Sequence, residues 1–121
     1  MTSSDDIENL IRETLREMGG IDILVNNAGV EGKEEPLPEM SEEDWHSVVN
    51  PNLKGAFLCS RAAAKEMIAK GRGKIINVAS IAAFIGMPNV SAYCASKGGL
   101  VQLTKAMALE FVENNIQVNA L

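Results

Sequence analysis

Three short apolar runs alternate along this chain with long helical patterns, and that alternation constrains its fold more than any other feature. The runs are Ile23-Leu24-Val25, Ile75-Ile76 with Val78, and Ile116 to Leu121. A short apolar run without polar alternation fits a strand buried on both faces of a parallel sheet. Parallel neighbours need long crossover connections, which run right-handed. The order helix, strand, helix, strand, helix, strand therefore predicts an α/β fold with three parallel strands and intervening helices.

Local signals set the boundaries. Ile7, Leu10, Ile11, Leu15 and Met18 recur at helical spacing, predicting a helix over Asp5 to Met18. Ser3 or Ser4 caps it, Asp5 and Asp6 suit its positive end, and Gly19-Gly20 stops it. A strand from Ile21 to Asn26 runs into Asn26-Asn27-Ala28-Gly29, which is turn chemistry. Val30 to Met40, with Pro36 and Pro38, reads as a loop. Ser41-Glu42-Glu43-Asp44 has the form of a cap followed by acids, and Trp45, Val48 and Val49 give that helix an apolar side. Pro51 is expected to break or kink it and to bias Asn50 away from helical geometry. A long helix from Asn52 to Lys70 ends at Gly71. A strand over Lys74 to Ser80, a loop over Ile81 to Ser91, a helix over Ala92 to Asn114 and a strand over Ile116 to Leu121 complete the reading. No repeat, low-complexity stretch or linker divides the 121 residues.

The balance of 46% apolar and 22% charged residues supports a modest core. A net charge of −5 excludes the basic footprint of a nucleic-acid binder and argues against an anionic membrane surface. No apolar run approaches the ~20 residues of a membrane span. The start, Met1 to Asp6, is polar and acidic, unlike a signal peptide. Cys59 and Cys94 have no metal-like spacing and read as reduced thiols, so no metal site and a cytoplasmic location are expected.

Candidate chemistry gathers at a few positions. Tyr93 and Lys97 are four apart and share a helix face. A phenol transfers protons poorly near neutrality, and a nearby ammonium favours the phenolate. The pair is a plausible proton-transfer device, although the spacing equally suits a surface pair. Ser80 stands thirteen residues before Tyr93, at the carboxyl end of a strand, where ligands bind in open parallel sheets. Its hydroxyl can meet a substrate oxygen, or simply begin the loop. Asn52 follows Pro51, where a kink frees backbone groups, so it can hold a water in a proton relay or cap the helix. Ala28 and Gly29 let a flat ligand approach the backbone, or form an ordinary turn. Gly98 and Gly99 inside a helix cost about 1 kcal/mol each and imply close packing, across a subunit contact or within the chain.

Together, Asn26-Asn27-Ala28-Gly29, Asn52-Leu53-Lys54-Gly55, Asn77-Val78-Ala79-Ser80, Tyr93-Cys94-Ala95-Ser96-Lys97 and Val118-Asn119-Ala120 resemble the short-chain dehydrogenase/reductase family in order and spacing. The resemblance implies a Rossmann-like doubly wound parallel sheet, of which this chain holds the carboxyl-terminal-side portion. It implies an oxidoreductase moving a hydride between NAD or NADP and an alcohol or ketone, as in 3-oxoacyl thioester reductases and sugar or polyol dehydrogenases. Tyr93 would be the acid-base residue. Lys97 would assist it and bind the nicotinamide ribose. Ser80 would polarise the substrate oxygen, and Asn52 would hold the water linking Lys97 to solvent. Asn27, Ala28 and Gly29 would line the adenosine side of the cofactor site, with Asn26 fixing the central strand beside it. Members pair the equivalents of the Ala62-Ala63-Ala64 helix and the Tyr93 helix between subunits, so a homodimer or homotetramer is expected. Pro51 departs from the aliphatic residue usual there. The family's glycine-rich turn does not occur in this sequence, nor does the strand that selects NAD or NADP, nor the segment that closes over substrate. Residues 1–121 are therefore expected to be a partial domain. The competing expectation is a truncated, non-catalytic product that pairs through its two long helices.

Overall fold

Local sequence chemistry places most helix ends in the computed structural model, which describes residues 3–121. Met1 and Thr2, part of the polar, acidic start read above, lie outside the described residues. Helix α1 spans Ser4–Met18; Ser3 accepts the Asp6 N–H at its start, and Gly19 closes it in the left-handed conformation at φ 74°. Strand β1 is Ile23–Asn26, helix α2 is Glu42–Val49, and helix α3 is Gly55–Lys70. Strand β2 is Gly73–Asn77, helix α4 is Ser91–Glu110, and strand β3 is Ile116–Ala120. Ser41 caps α2 through the Asp44 N–H at 3.0 Å, as its sequence predicts.

The three strands form one parallel sheet in the order β1-β2-β3, the α/β arrangement expected. Leu24, Ile75 and Val118 share one row and one face. That face meets Ile11 and Leu15 of α1, Ala63 and Met67 of α3, and Met107 of α4, which together form the main core. The rows Ile23-Lys74-Gln117 and Val25-Ile76-Asn119 point the other way. Ile23 is 58% exposed and Val25 53% exposed, so no helix among the described residues covers this side. The expectation of a β1 buried on both faces is corrected: α1, α3 and α4 all lie on one side of the sheet. A short apolar run records what a strand can bury, not which of its faces is covered.

Other boundaries move as well: β1 starts at Ile23 rather than Ile21, and α3 at Gly55 rather than Asn52. β2 ends at Asn77 rather than Ser80, and Ser80 caps a 3-10 turn over Ile81–Ala83. α4 ends at Glu110, and a 3-10 turn over Val112–Asn114 leads to Asn115 at φ 56°.

Pro51 does not break its helix. Asn50 is helical at φ −63°, ψ −53°, and residues Asn50–Lys54 form a π segment joining α2 to α3. Proline lacks the N–H of a normal helical bond and crowds the carbonyl four residues back. Widening the turn, with the Gly55 N–H reaching the Asn50 carbonyl, accommodates both defects. Asn52 thereby sits within continuous helix, 1% exposed, rather than at a cap.

Candidate active site

The carboxyl ends of β1 and β2, the π segment and the first turns of α4 converge on one place. Lys97 is 5% exposed, and its Nζ donates to the Val78 carbonyl at 2.7 Å. Burial pushes its pKa below the ordinary lysine value, because an ammonium loses hydration there. Tyr93 lies one turn earlier and is half-buried; the Lys97 Nζ is 5.7 Å from its ring centroid. The expected pair is therefore an interior arrangement rather than a surface one.

Asn52 joins this group from the π segment. Its Oδ1 accepts the Val30 N–H at 2.7 Å, and its Nδ2 donates to the Val30 carbonyl at 2.8 Å and to Ser96 Oγ at 3.0 Å. Both amide hydrogens are thus committed within the protein. Gly29 packs against them: a Cβ built there would lie 3.0 Å from Asn52 Oδ1 and 3.6 Å from Lys97 Nζ. Only glycine leaves this approach open, so position 29 serves packing within the chain, whereas its sequence position suggested approach by a flat ligand.

Ser80 reaches the site on a turn. Its Oγ accepts the Ala82 N–H at 3.2 Å, so it does begin the loop, yet its own hydrogen stays available to donate. The turn rests on α4, since a Cβ on Gly98 would meet the Ala83 carbonyl oxygen at 3.7 Å. Gly99 admits Leu53, whose Cδ2 a Cβ would approach to 2.8 Å. Packing within the chain thus accounts for Gly99, while a Cβ at Gly98 would make only an ordinary contact.

Asn27, Ala28 and Gly29 are exposed beyond β1. Asn26 turns inward instead. Its Nδ2 donates to Ser60 Oγ at 2.9 Å and Asn77 Oδ1 at 2.8 Å. Asn77 Nδ2 donates to Thr104 Oγ1 at 2.8 Å, and Thr104 donates to the Leu100 carbonyl at 2.7 Å. This buried chain ties α3, β1, β2 and α4 together one residue before Val78, the acceptor of Lys97. Ser60 and Thr104 do not figure in the sequence reading, and Asn77 and Ser96 enter it only as members of family motifs, with no role assigned. The detectable signal was the matched position of Asn26 and Asn77 at the ends of two adjacent strands.

Cys59 and Cys94 are free; burial pushes the Cys59 thiol up. No group of potential metal ligands occurs among the described residues, and no helix among them is long and apolar enough to cross a membrane.

Comparison with known proteins converges on one family. The family model for short chain dehydrogenases matches residues 1–121. The chain is 49% identical over 118 residues to a 2-dehydro-3-deoxy-D-gluconate 5-dehydrogenase of Escherichia coli, covering 97% of this chain and 46% of that protein. It is 39% identical to a 3-oxoacyl-acyl-carrier-protein reductase of Synechocystis sp., covering 100% and 49%. Among solved structures, a gluconate 5-dehydrogenase from Burkholderia cenocepacia in complex with NADP and tartrate superposes with a TM-score of 0.94 at 38% identity, covering 98% and 46%. An NAD+-bound xylitol dehydrogenase gives 0.95 at 38%, with the same coverage. The chain spans about half the length of the relatives it matches.

Proposed function

This chain belongs to the short-chain dehydrogenase family, and from that premise we propose that it contributes the proton-transfer half of an oxidoreductase acting on alcohols or ketones with NAD or NADP. The observation that carries the reading is the buried Lys97 ammonium beside Tyr93 at the carboxyl end of the parallel strands.

The residues present fit the nicotinamide-ribose side of such a cofactor. Lys97 keeps donors beyond the one given to Val78, and Gly29, having no side chain, brings the backbone after β1 close to Lys97 and Asn52. Tyr93 and Lys97 would hold the ribose, and Asn27, Ala28 and Gly29 would line the adenosine side. When bound, the nicotinamide supplies or accepts the hydride.

The chain's own residues handle the proton. The Ser80 hydroxyl hydrogen polarises the substrate oxygen. In reduction the Tyr93 hydroxyl gives its proton to that oxygen; in alcohol oxidation the phenolate takes it back. The Lys97 charge stabilises the negative charge that develops on the phenol oxygen. Asn52 holds the strand-to-loop junction at Val30 beside them, and in this reading anchors the water that links Lys97 to solvent through its backbone, since its side chain is committed. Subunit pairing through α3 and α4 belongs to the same proposal; it would cover the exposed Phe57, Ile68 and Leu109.

Oxidoreductase turnover of Tyr93→Phe, in a parent protein that also carries the phosphate-binding unit, tests the assignment. Activity is expected to vanish with the circular dichroism spectrum unchanged, and an active variant would overturn the role. Titration with NADH and NADPH, followed by nicotinamide fluorescence, examines cofactor binding directly. Weak or no binding by this chain is expected, because no glycine-rich phosphate cradle occurs in its sequence.

A further inference from the structure

Ser96 has no place in the chemistry above, yet it touches two of the residues assigned to it. It is fully buried, in α4, three residues after Tyr93 and one before Lys97. Its Oγ donates to the Tyr93 carbonyl at 2.8 Å and accepts from Asn52 Nδ2 at 3.0 Å. A hydroxyl has one hydrogen, so the direction of this pair is determined: the bond to Tyr93 uses it, and the Asn52 amide must be the donor. That in turn orients the Asn52 side chain. Its NH2 faces Ser96 and the Val30 carbonyl, and its Oδ1 faces the Val30 N–H. A flipped amide would set NH2 against N–H and oxygen against two acceptors.

We infer that Ser96 is a positioning residue, which locks the π segment carrying Asn52 to the first turn of the Tyr93 helix. Its significance for catalysis rests on the proposed proton-transfer reading; the lock itself does not. The tether spans separate parts of the fold: Val30 follows β1, Asn52 lies in the widened turn, and Ser96 belongs to α4. Gly29 leaves little slack between them, since its Cα region already packs against Asn52 Oδ1 and Lys97 Nζ. Removing the Ser96 hydroxyl strands an Asn52 N–H where water cannot replace it. Asn52 then gains freedom to rotate, and the Val30 N–H loses a fixed acceptor.

Ser96→Ala in the full chain, examined by NMR, tests this without requiring activity. The Asn52 side-chain amide resonances are expected to shift, and Val30 N–H exchange to speed up by roughly ten-fold or more, the effect of one orphaned buried donor. Lys97 and the α4 amides beyond Leu100 should keep wild-type behaviour. Wild-type Asn52 resonances together with wild-type Val30 exchange would overturn the inference. Ser96→Cys, nearly isosteric, covers the case in which the smaller side chain unfolds the chain. Its weakly accepting sulfur should also speed Val30 exchange, and wild-type rates in it would equally overturn the lock. In an enzyme assay of a parent protein that also carries the phosphate-binding unit, a fall in kcat with KM unchanged would connect the lock to proton transfer. Altered NMR with unchanged kcat would leave the lock standing and refute its catalytic significance.

Discussion

Replacing Thr104 with valine probes the buried polar chain on which the site is mounted. Valine keeps the shape of threonine and removes only the hydroxyl. Thr104 is 5% exposed and Asn77 0% exposed, and the valine methyl takes the hydroxyl's place, so the Asn77 amide is offered no substitute partner there. Thr104 Oγ1 is the partner of Asn77 Nδ2 at 2.8 Å, and without it one amide hydrogen is left buried and unpaired. That costs about 1–3 kcal/mol. The lost bond to the Leu100 carbonyl adds little, because this carbonyl lies inside α4 and keeps its helical partner. A loss of about 2 kcal/mol is expected, which lowers the urea midpoint by roughly 1 M for an m-value near 2 kcal/mol/M. Trp45, the only tryptophan and half-buried, reports unfolding by fluorescence. Gln102→Ala, on the exposed side of the same helix, is the control and should stay within about 0.5 kcal/mol. A Thr104→Val midpoint indistinguishable from that control would refute the claim that this chain braces the sheet. Ser60→Ala removes the far end of the same chain, so the two substitutions should combine non-additively.

Other positions give further tests. Gly73→Ala places a Cβ 2.5 Å from Met67 Cγ and 2.8 Å from Met67 Cβ, where fully buried Met67 cannot retreat; a loss of about 2–3 kcal/mol should lower Tm by on the order of 10 °C in a thermal melt. Gly29→Ala pushes on Asn52, which three hydrogen bonds hold in place; Val30 N–H exchange should accelerate, and unchanged exchange would show the site to be more pliant than its geometry implies. Lys97 has a pKa depressed by burial below 10.5, so the folded state gives up this proton before the unfolded state does. The destabilisation is fully present below the depressed value and is relieved as pH rises through it toward 10.5, so the stability advantage of Lys97→Met over wild type, measured from urea midpoints, should be largest at neutral pH and shrink toward 10.5.

Much of this molecule is written in short stretches of sequence. Ser3, Gly19 and Ser41 mark helix ends because a cap satisfies backbone groups within a few residues. The periods of the apolar residues separate helices from strands, and their order implies a parallel sheet. Tyr93 and Lys97 share a helix face by spacing alone, and the ordered motifs were enough to identify the family. Other features depend on partners distant in the chain. Ile23 and Val25 read as buried, yet they are exposed because no helix among the described residues covers their side of the sheet. Pro51 reads as a break or kink, yet the helix continues because the widened π segment accommodates the missing N–H and the ring. Asn52 reads as a water holder or a cap, and only its contacts with Val30 and Ser96, 22 and 44 residues away, commit its amide. Asn26 and Asn77 become partners only when parallel register sets them side by side. Caps, periods and spacings are local energies, so the amino-acid sequence alone determined the elements and the family. Burial and hydrogen-bond satisfaction belong to the assembled chain, and they alone decided which face is open and which polar groups hold the site.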